Sequence, residues 1–230
     1  MCGRFAQAYE LKEFIKRFGV AVLDGVGLRY NIAPGQNVMV LLHDKDACFE
    51  PRLLRWGLVP HWAKDTAIGS RMINARGETV AEKPAFRTAF RTHRCIVPVS
   101  GFFEWKRQGK IKVPHYIHSA QGEPLALGGL WAVWHDPQSG DSHETFTILT
   151  VPANEDVCAL HDRMPLILND ADDSRWVDTQ TSVDLLGSLI RPYADGQLIS
   201  YPVSTIVNSP SNDTPDCIQK HEYGGQTELF

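Results

Sequence analysis

The chain has 230 residues, 43% of them hydrophobic and 22% charged, with a formal charge of −4. That is enough apolar material for one sizeable core, and the average composition excludes disorder, collagen-like repeats and coiled coil. No run approaches the roughly 18 consecutive apolar residues of a membrane span, and Met1 to Phe5 turns amphipathic with no signal-peptide core.

In chain order, residues 7–18 place Leu11, Phe14, Ile15 and Phe18 on one helical face, with Gly19 positioned to cap the end. Val38–Leu42 and Leu53–Trp56 predict the strands of a hairpin around Asp44-Lys45-Asp46. A short helical region follows over 79–91, its second part able to start at Pro84. Cys95–Val99, Phe102–Lys106, Pro114–His118, Leu125–Trp134 and Thr145–Val151 predict a β-rich centre, with turns at Gly109 and Gly140. Helical patterns recur near 153–160, 170–178 and 182–190, before a last strand at Ile199–Val203. From Ser209 the tail is polar and turn-rich, and its final residues are expected to be loosely held. Strands follow one another without regular crossover helices. The expected fold is therefore α+β, a curved, barrel-like and mostly antiparallel sheet flanked by short helices. There is no linker, so a single domain over 1–230 is expected, with its core over about 2–208.

Cys2, Cys48, Cys95, Cys158 and Cys217 contain no CxxC pair. That pattern fits reduced thiols in a cytosolic protein, or a nuclear one in a eukaryote, better than a disulfide framework or a zinc site. The nine histidines show no HExxH or other ligand spacing and there is no phosphate-binding glycine loop, so neither metal nor cofactor is expected.

Charge is unevenly spread. Residues 52–112 hold thirteen Lys/Arg against four Asp/Glu, a local +9, and the rest hold ten against twenty-three, or −13. A basic segment is what a polyanion-binding face needs, although charge blocks also decorate ordinary solvated surfaces.

Cys2 carries the distinctive chemistry. A small residue after the initiator methionine permits removal of Met1, which leaves a 1,2-aminothiol at the N-terminus. Its amine titrates near about 7.7–8.0 and its thiol near about 8.5, so both nucleophiles are accessible at neutral pH. An aldehyde forms an imine with the amine, and the thiol then closes a five-membered thiazolidine. If Met1 stays, the amine is locked in a peptide bond and this chemistry stops.

Several motifs accompany it in order: Cys2-Gly3-Arg4-Phe5, Arg29-Tyr30-Asn31-Ile32-Ala33-Pro34-Gly35, Trp56-Gly57-Leu58-Val59-Pro60-His61-Trp62, and Ile73-Asn74-Ala75-Arg76-Gly77-Glu78-Thr79. Gly101-Phe102-Phe103-Glu104-Trp105, Leu160-His161-Asp162-Arg163-Met164-Pro165 and Tyr201-Pro202-Val203-Ser204 complete the series. Together they resemble the SRAP family, the SOS-response-associated peptidases now understood as abasic-site-processing proteins. The resemblance implies that Cys2 is the nucleophile, that Asn74 holds the abasic sugar, and that Glu104 is the general acid/base. It implies proton transfer by His161, and DNA contacts from Arg4, Asn31, Pro34, Trp62, Arg76, Thr150 and Arg163. The implied partner of this monomer is single-stranded DNA, or a single-strand/double-strand junction, containing an abasic site. Two departures from the family pattern affect the grip on DNA. Ala63 stands where many relatives carry a second aromatic, and Pro84 where some carry an arginine, leaving Lys83 as a substitute.

Taken without the family, the same residues leave other readings open. Alternation can put Glu104 on the wet face of its strand, His161 can be a helix cap, and Asn74 a turn residue. Trp62 can be core, and Arg4 and Arg76 surface ion pairs. Two rival functions remain: an N-terminal-nucleophile peptidase, and a non-covalent reader of damaged DNA that has no use for Cys2.

Overall fold

The computed structural model describes residues 2–43 and 48–223. In chain order its elements are β1 (Phe5–Gln7), α1 (Leu11–Phe18), β2 (Arg29–Ile32), β3 (Asn37–His43), β4 (Phe49–Trp56), β5 (Asn74–Arg76), α2 (Arg87–Thr92) and β6 (Arg94–Val99). They continue with β7 (Gly101–Gln108), β8 (Ile111–Ser119), β9 (Leu125–His135), β10 (Ser142–Pro152), α3 (Glu155–Cys158), β11 (Arg163–Pro165) and β12 (Ile167–Leu168). Last come α4 (Asp170–Val177), α5 (Val183–Leu189) and β13 (Leu198–Pro202).

Five strands close on themselves. β10 pairs in parallel with β4, β4 with β3, β3 with β6, β6 with β9, and β9 back with β10. Closure removes the exposed sheet edge that would otherwise pair with another chain. β5 and β11 attach to β10, and β12 to β9. A second sheet runs in the order β13-β8-β7-β1-β2. The architecture is α+β around a barrel-like, mostly antiparallel core.

Period-two alternation places successive side chains of the second sheet in different clusters. Phe5 and Phe102 join the main core with Trp56, Phe146 and Ile148, whereas Ala6 and Phe103 join a smaller cluster with Tyr116, Val203, Val207 and Cys217. The sheet is therefore covered on both faces, and Glu104, two residues beyond Phe102, is only 4% exposed. The wet-face reading of Glu104 fails for this reason.

Approach to a neighbouring backbone is tightest at Gly101. A Cβ there would lie 2.5 Å from both the Ile117 carbonyl oxygen and the Tyr116 ring. Gly101→Ala is expected to cost about 3 kcal/mol and to lower Tm by roughly 6–12 °C, read by thermal unfolding.

Three expectations need revision. The N-terminal helix starts at Leu11, because Phe5–Gln7 is held as a strand between β2 and β7, and Gln7 Nε2 donates to the carbonyls of Met39 and Pro98, each at 2.8 Å. Of its apolar face only Phe14 and Phe18 are buried, while Leu11 and Ile15 are exposed. Pro84 starts no helix: α2 begins at Arg87, after a turn in which Phe86 N donates to Lys83 O at 2.9 Å. The tail beyond Ser209 is pinned as far as Tyr223. Cys217 is buried, Tyr223 Oη donates to Val203 O at 2.7 Å, and Tyr201 Oη donates to Ile218 O at 2.8 Å. The looseness expected of the last residues, like the hairpin turn expected at Asp44-Lys45-Asp46, falls outside the described residues.

Candidate active site and nucleic-acid interface

The site lies where the N-terminal segment bridges the two sheets. On one side β1 pairs with β7, and Phe103 N donates to Arg4 O at 2.9 Å, which brings the residues before Arg4 towards Glu104. On the other, Asn74 at the start of β5 donates from Nδ2 to the Cys2 carbonyl at 2.8 Å. Cys2 is fully buried. Asn74 Oδ1 is also buried and accepts no hydrogen bond among the described residues, so an acceptor stands ready beside Cys2.

Desolvation governs the protonation states. Burial pushes the Glu104 carboxyl up to about 7, and the charge of Asp162 acts in the same direction. With Met1 still attached, burial pushes the Cys2 thiol up to about 12, the charge of Glu104 adding to it. The thiol is therefore protonated at neutral pH, and Glu104 sits at the value a general acid/base needs. Burial holds His161 below the usual imidazole range. His161 Nδ1 accepts the Arg163 backbone N–H at 2.9 Å, which places the proton of the neutral ring on Nε2. The same Nδ1 is 2.8 Å from Asp162 Oδ1, a contact that favours protonation instead. Burial outweighs the Asp162 contact, so the neutral ring is the better description at pH 7.

The arginines differ in how far they are committed. Arg4 Nη1 donates to Asn31 Oδ1 at 2.7 Å and to Val207 O at 2.6 Å, and its guanidinium lies 5.9 Å from the Trp105 ring centroid. Arg163 forms a fork with Glu78 and also donates to Thr150 O at 2.6 Å. Arg76, two residues beyond Asn74 on the same strand, is exposed, as is Pro34. Trp62 is 51% exposed, so it is not core. Of the other cations in the basic segment, Lys64, Arg71, Arg76, Lys83, Arg87 and Arg91 are exposed, whereas Arg94 is buried and donates to the carbonyls of Trp176, Phe90 and Asp178.

Asn31 and Thr150 face inward. Asn31 is fully buried, with Nδ2 shared among the carbonyls of Val207, Ser209 and Asn212. Thr150 is also fully buried, and its hydroxyl lies between Ala75 O at 3.5 Å and Arg163 Nη2 at 3.2 Å. Neither offers a polar atom to a ligand; each fixes an arginine. Asn31→Ala is expected to cost about 3 kcal/mol in urea unfolding, because it strands Arg4 and three carbonyls.

Sequence reasoning missed three contributors. Asp213 accepts from Tyr30 N, Asn31 N and Arg29 Nε, and so fastens the C-terminal segment to the strand that holds Arg4; 182 residues separate it from Asn31. Glu78 and Asp162 lie inside recognised motifs, but only the fold shows what each one faces. A cavity of about 750 Å³, lined by Tyr9, Leu11, Ile15, Val22 and Leu28, contains none of the site residues.

Comparison with known proteins bears on this arrangement. The profile of the family described as SOS response associated peptidase (SRAP) matches residues 1–210. The abasic site processing protein YoqW of Bacillus subtilis (strain 168) is 41% identical over 228 residues, covering 96% of this chain and 100% of its own. The abasic site processing protein HMCES of Gallus gallus is 34% identical over 232 residues, covering 87% of this chain and 68% of its own. A crystal structure from Bacteroides thetaiotaomicron superposes with a TM-score of 0.85 at 26% identity, over 96% of this chain and 100% of that one. With a profile match across residues 1–210 and a relative matched end to end at 41% identity, this chain belongs to the SRAP family.

Proposed function

We propose that this protein binds single-stranded DNA, or a single-strand/double-strand junction, and joins itself covalently to the aldehyde of an abasic site through Cys2. The observation that carries this reading is the pairing of a buried second residue, held by Asn74, with a carboxyl raised to about 7 by burial. The names of the relatives, abasic site processing proteins, point to the same lesion.

Hydrolysis of the Met1–Cys2 peptide bond frees the amine. Glu104, protonated, gives its proton to the sugar ring oxygen as the C1–O bond breaks and takes one back from the C1 hydroxyl, leaving the open aldehyde. The Cys2 amine adds to the aldehyde carbon, and the resulting carbinolamine loses water to give an imine. The thiol sulfur then adds to the imine carbon while its proton passes to nitrogen, closing the thiazolidine with a net loss of one water. Ring closure consumes the imine, which would otherwise permit β-elimination and strand cleavage 3′ to the lesion. Asn74 orients Cys2 through Nδ2 and accepts a sugar hydroxyl at Oδ1. His161 donates from Nε2 during ring opening. Arg76, Arg163 and Arg4 grip the flanking phosphates, and Pro34 and Trp62 pack against bases at the kinked strand. The protein acts as a monomer, in the cytosol or nucleus, and the scheme uses only its own side chains.

The test compares two single-stranded oligonucleotides, one with a true abasic site and one with a tetrahydrofuran analogue that has no aldehyde. Both are expected to bind, but only the first to give a heat-stable band on a denaturing gel. Equal binding with no band on either would leave a non-covalent reader of damaged DNA as the function.

A further inference from the structure

Arg163 enters β11 with its guanidinium already occupied. From the protein side, Nη2 donates to the Thr150 carbonyl at 2.6 Å and to its hydroxyl at 3.2 Å. From the solvent side Glu78 covers the fork, accepting from Nη1 with one carboxylate oxygen and from Nη2 with the other at 3.0 Å. The Arg163 side chain is 14% exposed and that of Glu78 46%, so the arginine is fixed and the carboxylate is the outer member. Arg163 is the only side chain hydrogen-bonded to Glu78 among the described residues. Two parallel N–H···O bonds from a planar guanidinium are the geometry by which arginine binds a phosphate as well as a carboxylate. The bond to Arg163 also holds the Glu78 carboxyl below the usual carboxylate range, so the group is anionic at neutral pH.

Glu78 belongs to the turn Gly77–Thr79 that follows Arg76 directly. The carboxylate is thus in contact with the fixed Arg163 and within electrostatic reach of the exposed Arg76, two residues before it. We propose that Glu78 is an internal phosphate mimic, which occupies the Arg163 fork in the free protein and yields it to a DNA phosphate on binding. The proposal rests on the DNA-binding reading above and adds a selectivity device to it. A free anion must displace a tethered carboxylate unaided. A strand already held at Arg76 delivers its next phosphate at high effective concentration, so the exchange favours a polyanion over inorganic phosphate.

The sign of one substitution decides the matter. Binding is read by fluorescence anisotropy with a labelled single-stranded oligonucleotide carrying the tetrahydrofuran analogue, which excludes covalent capture. Glu78→Gln is expected to tighten binding roughly three- to fivefold, the range of an exposed ion pair. Glu78→Ala should do the same, and both effects should vanish in an Arg163→Ala background. Inorganic phosphate should compete more effectively against Glu78→Gln than against the wild type. Unchanged or weaker binding by both Glu78 variants, with wild-type binding intact, would overturn the mimic and make Glu78 a support for Arg163. An equal gain in the Arg163→Ala background would overturn it too, since any lost negative charge would then suffice. Absence of binding by wild type and variants alike would sink the DNA-binding reading, and the proposal with it.

Discussion

Glu104→Gln is expected to slow crosslinking by on the order of 10²–10³-fold, the usual contribution of a positioned acid/base, while making the protein more stable at alkaline pH. Both effects come from the same burial. The carboxyl rises from an ordinary 4.5 to about 7 in the fold, so the folded state favours the protonated form. Stability from this group is present in full below pH 4.5 and is lost as pH rises through about 7. A shift of that size amounts to roughly 2–4 kcal/mol above pH 8. Glutamine never ionises, so the variant should match the wild type in urea unfolding at pH 4.5 and exceed it at pH 9. Single-turnover rates supply the kinetic half. The wild-type profile should be bell-shaped, rising as the Cys2 amine loses its proton and falling as Glu104 ionises, and the variant should lack the falling limb. A variant within threefold of the wild-type rate would remove Glu104 from the chemistry.

Cys2→Ser is expected to abolish the heat-stable adduct without abolishing the reaction with the aldehyde. Serine keeps the N-terminal amine once Met1 is removed, so an imine still forms, but its hydroxyl is a far weaker nucleophile than a thiol for ring closure. The adduct should therefore be trapped by borohydride, which reduces a C=N bond, and strand cleavage by β-elimination should increase. Wild-type adduct should resist borohydride because the thiazolidine contains no C=N bond. If Cys2→Ser gave a heat-stable adduct as readily as the wild type, the thiol would have no part in the linkage.

The sequence disclosed the strands better than their partners. Apolar runs such as Leu125–Trp134 and Thr145–Val151 correspond to β9 and β10, and Gly109 and Gly140 sit at positive φ between strands. Closure of the barrel through the parallel β10–β4 pair was hidden, since nothing local marks Thr145 and Arg55 as neighbours. The short strand Phe5–Gln7 carries no mark of its own, and the helix expected over 7–18 takes in Gln7, because the local pattern is weaker than the pairing that holds the strand from both sides.

The site shows the same division. Cys2, Asn74 and Glu104 were legible by residue type and motif, and the fold places Asn74 against Cys2 with Glu104 in electrostatic reach. What each polar side chain faces was not legible. Asn31 and Thr150 look like surface hydrogen-bonders and are fully buried supports, because the C-terminal segment covers one and strands β5 and β11 flank the other. Arg163 looks like a free cation and is already paired. Burial and partner choice belong to tertiary packing, which one chain read in order does not contain.

Covalent capture at the N-terminus is tested most directly by the intact mass of the product formed with abasic single-stranded DNA. The adduct is expected to weigh the sum of the chain without Met1 and the oligonucleotide, less one water, and its DNA-bearing peptide on proteolysis should begin at Cys2. A product in which Met1 is retained, or in which the DNA is attached to a peptide other than the one beginning at Cys2, would contradict the mechanism.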